Sequence, residues 1–153
     1  MNKPQNILFS SELFDEDTFY KAFLNDLENC KKEIIIESPF ITTERMNSFR
    51  SVFKKILEKG IRIYVITRDP KEHKETMEYQ SEEEITNFET MGVQTFLCSG
   101  NHHRKLAIID RKILWEGSLN ILSQNNSREI MRRIESQDFA FEMFNFLRLN
   151  EYI

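Results

Sequence analysis

The sequence predicts an α/β fold, an α/β/α sandwich built on a mixed β-sheet. Short apolar or β-branched runs alternate with longer segments of helical apolar period. Several of those runs are apolar on both faces, as strands covered by helices on two sides require. One pair of runs is separated only by Asp110-Arg111-Lys112, so a hairpin interrupts any purely parallel arrangement.

Taken in order, a short strand is expected around residues 7–9. Phe19, Phe23, Leu24 and Leu27 recur at helical spacing and give a helix over about 16–31. Ile34, Ile35 and Ile36 form a strand that Pro39 closes. A second helix follows Thr42 and Thr43, with Met46, Phe49, Val52, Phe53, Ile56 and Leu57 inward and Gly60 as its stop. Residues 61–67 read as a third strand, and residues 68–80 are charged without apolar period. Ser81-x-x-Glu84 reads as a capping box that opens a short helix carrying Ile85, Phe88 and Met91 and ending at Gly92. Residues 93–98 return to strand, the hairpin strands occupy 106–109 and 113–115, and 129–134 forms a last strand. Ser136 caps a final helix with Phe139, Met143, Phe146 and Leu147 on one face.

A chain of 153 residues is expected to form one domain, 1–153, with no internal repeat or linker to divide it. No apolar run reaches the roughly 20 residues of a membrane span. The N-terminal MNKPQNILFSSELFDED turns acidic too soon for a secretory signal. Cys30 and Cys98 have no metal-ligand spacing, so free thiols in a reducing cytoplasm are the default, and neither metal nor cofactor is expected. Thirteen phenylalanines exceed what one small core normally needs. The net charge of −4 disfavours nucleic-acid binding by bulk electrostatics. Basic residues nevertheless gather in the last third, from Arg104 and Lys105 to Arg128, Arg132 and Arg133. A local basic cleft on an acidic body and ordinary solvated surface charge are both compatible with that distribution.

Chemistry concentrates in HRKLAIIDRKILWEGSLN, residues 103–120. Alternation along a strand puts His103 and Lys105 on one face. Asp110 lies on the order of 20 Å further along and has the opposite parity, so it cannot touch His103 within the chain. The returning strand brings Gly117 and Ser118 back beside Lys105 and His103, and the next loop adds Asn120. An imidazole, an ammonium, a hydroxyl and an amide then converge, with a glycine leaving room above them. That set suits a phosphodiester: a nucleophile or acid, a fixed cation and two neutral hydrogen-bonding groups.

The string His103-x-Lys105-x4-Asp110-x6-Gly117-Ser118-x-Asn120 resembles the HKD signature of the phospholipase D superfamily at all six positions. The segments IIIESPFIT, IRIYVITR and NSREIMRRIES resemble the phospholipase D-like domain found alone or fused to bacterial helicases and restriction enzymes. The resemblance implies that His103 attacks phosphorus to form a phosphohistidine, and that a second histidine protonates the leaving oxygen and later activates water. Lys105 would neutralise the nonbridging oxygens while Ser118 and Asn120 orient the phosphate, so no metal is required. Glu129 fits the family glutamate that orients a histidine through Nδ1; alone it reads as an exposed strand carboxylate. Asp110 is expected to anchor the turn or pair with a basic neighbour.

Arg68, at the end of a sheet strand, is a candidate contact for nucleic-acid phosphate, as are Arg104, Arg132 and Arg133. His102 is either a substrate contact or a loop histidine beside the site. One motif supplies one histidine, so a symmetric homodimer sharing its site is expected. Phe141, on the back of the last helix, either packs on that partner or is a stray exposed ring. The resemblance points to a metal-independent nuclease acting on DNA, or on RNA, in the cytoplasm, with a helicase or restriction system as a potential partner. Two rival readings stand beside it: a phospholipid hydrolase or phosphatidyltransferase, and a non-catalytic nucleic-acid-binding subunit.

Overall fold

The structure is a computed structural model, and it describes residues 9–153. The strand expected at 7–9 therefore falls largely outside the described residues. The first described strand is β1, Ser10–Asp15. It is followed by α1 (Phe19–Asn29), β2 (Glu33–Glu37), α2 (Thr43–Glu58), β3 (Arg62–Arg68), α3 (Glu75–Met91) and β4 (Gln94–Cys98). The hairpin strands β5 (Leu106–Ile109) and β6 (Ile113–Gly117), then β7 (Ile130–Glu135) and α4 (Gln137–Phe146), complete the order. Short 3₁₀ turns occupy Pro70–Glu72 and Leu149–Glu151.

The seven strands form one mixed sheet in the order β1-β7-β6-β5-β2-β3-β4. β2, β3 and β4 run parallel, each joined to the next through a helix, as parallel neighbours require. β5, β6, β7 and β1 are antiparallel neighbours, so the sequence expectation of a mixed sheet holds. The α1–α3 face buries Phe19, Phe23, Phe49, Phe53 and Phe88 with Trp115. Most of the surplus phenylalanine is thus consumed by one aromatic core, with Phe19–Phe23 and Phe49–Phe53 stacked at 5.1 and 5.6 Å. The other face is smaller: Ile35, Tyr64, Ile66, Leu106, Ile108 and Leu114 pack under α4.

Two expectations change. Ser81 does not cap a helix, because α3 already begins at Glu75; Ser81 and Glu84 lie buried inside it, and Glu84 binds Arg50 at 2.7 Å. The first turns of α3 face outward, so they need helix-forming residues rather than an apolar stripe. Gly92, in the left-handed region at φ 109°, ends α3 as expected. On α4 the buried residues are Ala140 and Phe144; Phe139, Met143 and Leu147 only flank them, and Phe146 is 82 % exposed. The expected stripe 139-143-146-147 and the observed pair 140-144 both satisfy helical periodicity. The sheet selects the one containing Ala140, the small residue that allows close approach.

Candidate active site

The hairpin positions the motif. Asp110 and Arg111 both have positive φ (54° and 55°), Lys112 N–H closes the turn onto the Ile109 carbonyl at 3.0 Å, and the three residues 110–112 separate the paired Ile109 and Ile113. Leu106 pairs with Glu116, and one step further the Gly117 N–H reaches the Lys105 carbonyl at 3.4 Å. Gly117 and Ser118 thereby return beside Lys105, as strand geometry predicts. Gly117 is required for a different reason than room above a phosphate. A Cβ there would stand 2.1 Å from the Ile130 carbonyl oxygen, so its absence lets β6 close onto β7.

His103 and Lys105 share one face and touch: the Lys105 ammonium lies 2.8 Å from His103 Nδ1 and donates to the His103 carbonyl at 2.8 Å. Partial burial pulls the Lys105 pKa down, and the Glu129 charge opposes that shift. The Phe40 ring stands edge-on to the His103 ring at 6.2 Å. Ser118 is locked to β7, its N–H donating to the Ile130 carbonyl at 2.9 Å and its hydroxyl accepting from Ile130 N–H at 3.0 Å. Glu129 joins this group: the Ser118 hydroxyl and the Ser127 hydroxyl, the latter at 2.6 Å, hold its carboxyl below the usual range, with Lys105 adding to the effect. Within the chain its hydroxyl partners are those serines. Asn120 Oδ1 is buried without a hydrogen-bond partner. A buried acceptor left unpaired costs free energy unless a donor engages it.

An imidazole, an ammonium, a carboxylate and an amide with an unpaired oxygen thus lie on one hairpin and its following loop. A family model described as "Cardiolipin synthase, PLD-like domain" matches residues 23–148. The chain belongs to this PLD-like family. Solved structures agree on the fold. NucT from Helicobacter pylori superposes with a TM-score of 0.69 at 18 % identity, covering 92 % of this chain and 94 % of its own. Nuc from Salmonella typhimurium, titled a phospholipase D family member, gives 0.74 at 13 % identity over 92 % of this chain and 93 % of that one. A phosphatidylserine synthase from Haemophilus influenzae Rd KW20 gives 0.61 at 14 % identity, over 85 % of this chain and 35 % of that one. Among curated proteins, none matches.

The remaining candidates of the PLD-like chain separate into free and occupied groups. Asp110 anchors β2: its carboxylate accepts the N–H groups of Lys31, Lys32 and Glu33 at 2.8, 2.7 and 3.1 Å. Arg133 is consumed inside the fold, since its fork meets both oxygens of the buried Asp26 at 2.8 and 2.9 Å, and Trp115 Nε1 shares that carboxylate. Arg68 donates to Asn101 Oδ1 at 2.8 Å and staples the loop before His102. Of these two candidate phosphate contacts, Arg133 is paired inside the fold, whereas Arg68 keeps a buried Nε without a hydrogen-bond partner. Arg132 is exposed and bonds the Ser11 hydroxyl, and Arg104 is half exposed, 3.9 Å from Glu37.

His102 points away from solvent, its Nε2 3.3 Å from the Glu37 carboxylate. Burial pushes the Glu37 carboxyl up to about 7 and, with Arg104, Lys105 and His103 nearby, pulls His102 down. Although the distance is that of an ion pair, both shifts favour the neutral forms, and burial dominates because Glu37 is 1 % exposed. Sequence reading missed Glu37, although a carboxylate ending an all-isoleucine strand is a visible signal. It also missed Glu72, whose carboxylate accepts the Gly100 and Asn101 N–H groups at 3.1 and 3.2 Å; nothing local marks that role. Among the described residues no three His, Cys, Asp or Glu side chains are placed to hold a metal, and no helix is long and apolar enough to cross a membrane.

Proposed function

We propose that this chain is a metal-independent phosphodiesterase that cleaves nucleic acid, DNA foremost, through a phosphohistidine in a site shared by two copies. The observation that carries the reading is the His103–Lys105 contact, with Gly117-Ser118 returned beside Lys105 and the Glu129 and Lys105 charges acting on each other. In the resting chain Lys105 donates to His103 Nδ1, which occupies one ring lone pair. A bound phosphate draws the ammonium to its nonbridging oxygens and frees the imidazole to attack phosphorus. The ester P–O bond breaks as the N–P bond forms, and the leaving oxygen takes a proton from the second copy's histidine. Water then attacks phosphorus, gives its proton to that same histidine and releases His103. Because Glu129 meets Ser118 and Ser127 here, its orienting action is directed at the histidine arriving from the second copy.

The second copy has a suitable surface. A cavity of about 600 Å³ on the α4 face runs from Lys105 and Gly117 past Leu13 and Ile130 to Met143 and Phe146. Leu13, Ile130 and Phe146 are exposed apolar groups in contact with solvent. The same groove favours a second reading, phospholipid hydrolysis or phosphatidyl transfer, in which acyl chains occupy it.

A plasmid-nicking assay in excess EDTA, run beside His103→Ala, tests the chemistry. Cleavage is expected to survive chelation and to disappear with the imidazole; strict magnesium dependence overturns the mechanism. Hydrolysis of phosphatidylcholine vesicles with no nicking moves the activity to lipid.

A further inference from the structure

A separate polar cavity of about 370 Å³ lies between α1, the start of α2 and the loop after Asn120. Its floor is the Arg45 guanidinium, stacked over the Tyr20 ring with Cζ 3.3 Å from the centroid. One Arg45 nitrogen bonds the Gln124 side chain, and Nε is buried without a partner. Other arginines of this chain hold carboxylates: Arg50 with Glu84, Arg111 with Glu33, Arg133 with Asp26. Among the described residues no carboxylate lies within 4.0 Å of Arg45. A partly desolvated cation held by an aromatic face and an amide, with Glu44 acting on it only beyond ion-pair distance, favours an anion.

The cavity is linked to the proposed site through Asn120 and Glu129. The Tyr20 hydroxyl donates to the carbonyls of Asn120 and Ile121 at 3.3 and 3.1 Å, so the two sites share a wall. Ser127, on the rim, carries the bond to Glu129. Exposed Asn125, Asn126 and Arg128 complete the opening with neutral amides and a second cation. Glu16 and Asp17 also line it, but the Glu16 carboxylate is engaged by the Glu129 N–H at 2.9 Å. This mixture suits one phosphate held by contact rather than a polyanion drawn by bulk field, in keeping with the net charge of −4.

We propose that the Arg45–Tyr20 cavity is a second phosphate subsite, which holds a flanking phosphodiester of the strand cut at His103. The proposal rests on the phosphodiesterase reading and sharpens it: a glycerophospholipid with one phosphodiester has nothing to place there, whereas a nucleic-acid strand does. The guanidinium fork matches a phosphate in a way an ammonium does not.

The test is cleavage kinetics in EDTA on a dinucleotide, which has one phosphodiester, and on a single-stranded 12-mer. The wild-type KM is expected to fall at least tenfold from dinucleotide to 12-mer. Arg45→Met should reduce that advantage to about twofold, raising the 12-mer KM more than it lowers kcat, and Arg45→Lys should restore part of it. Arg128→Glu, which leaves the Tyr20 stack untouched, should raise the 12-mer KM in the same direction and keeps the idea testable if Arg45→Met misfolds. An unchanged length advantage in the variants, or equal loss on both substrates, overturns the subsite while leaving the nuclease intact. Failure of the wild type to cleave either substrate overturns the underlying reading instead.

Discussion

Glu37 stands at the inner end of β2 with His102 and Arg104 as its polar neighbours, and burial holds its carboxyl near pH 7 rather than 4.5. The folded chain therefore binds that proton more tightly than the unfolded chain does. Stability from Glu37 is fully present below about pH 4.5 and is lost as pH rises toward 7, by at most about 3 kcal/mol. His102, pulled down, changes stability in the opposite sense over the same window. The urea midpoint at pH 7.5 relative to pH 5 should therefore be higher in Glu37→Gln than in the wild type; an identical pH dependence in both proteins would show that Glu37 is ionised in the fold. Asp110 carries the opposite kind of residue-scale role. It accepts three backbone N–H groups, so Asp110→Ala is expected to cost about 2 kcal/mol, read as a lowered thermal midpoint. Its exclusion from proton chemistry was legible in sequence, because strand parity and rise are local properties. Its three partners were not, since they lie 77 to 79 residues away.

The β5–β6 hairpin shows which element-scale features are local. Its register, its turn and the return of Gly117 to Lys105 follow from residue spacing alone, and the structure agrees. The contact between β6 and β7 does not follow, because it depends on where another strand arrives. Gly117→Ala forces a methyl against the Ile130 carbonyl and should destabilise by roughly 2 kcal/mol or more. Hydrogen exchange localises the effect: Ser118 and Ile130 amides should lose protection first, whereas uniform loss would refute a defect specific to this strand pair. On α4 two stripes fit the same period, and the choice between them came from packing against the sheet. On α3 a Ser-x-x-Glu match was outweighed by six upstream residues able to extend the helix outward.

At the scale of the whole molecule, the two faces of the sheet are unequally covered. Three helices and an aromatic core close one face; α4 and the Leu149–Glu151 turn cover the other and leave Phe146 82 % exposed in the groove that leads to Lys105, with Phe141 63 % exposed on the same helix. A second copy seated there would complete the proposed site. Phe146→Asp should then shift a dimer to monomer in multi-angle light scattering and lower nicking activity with it; a fully active monomer would contradict the shared site. What the sequence by itself determined is the layered α/β class and the hairpin that returns Gly117 beside Lys105, because strand alternation and a tight turn are set by neighbours in the chain. Only the tertiary structure decided which cations are free. Arg133 finds Asp26 across 107 residues, and Arg45 finds Gln124 across 79 but no carboxylate. Whether a charge is neutralised depends on which distant segments the fold brings beside it, and no local pattern encodes that.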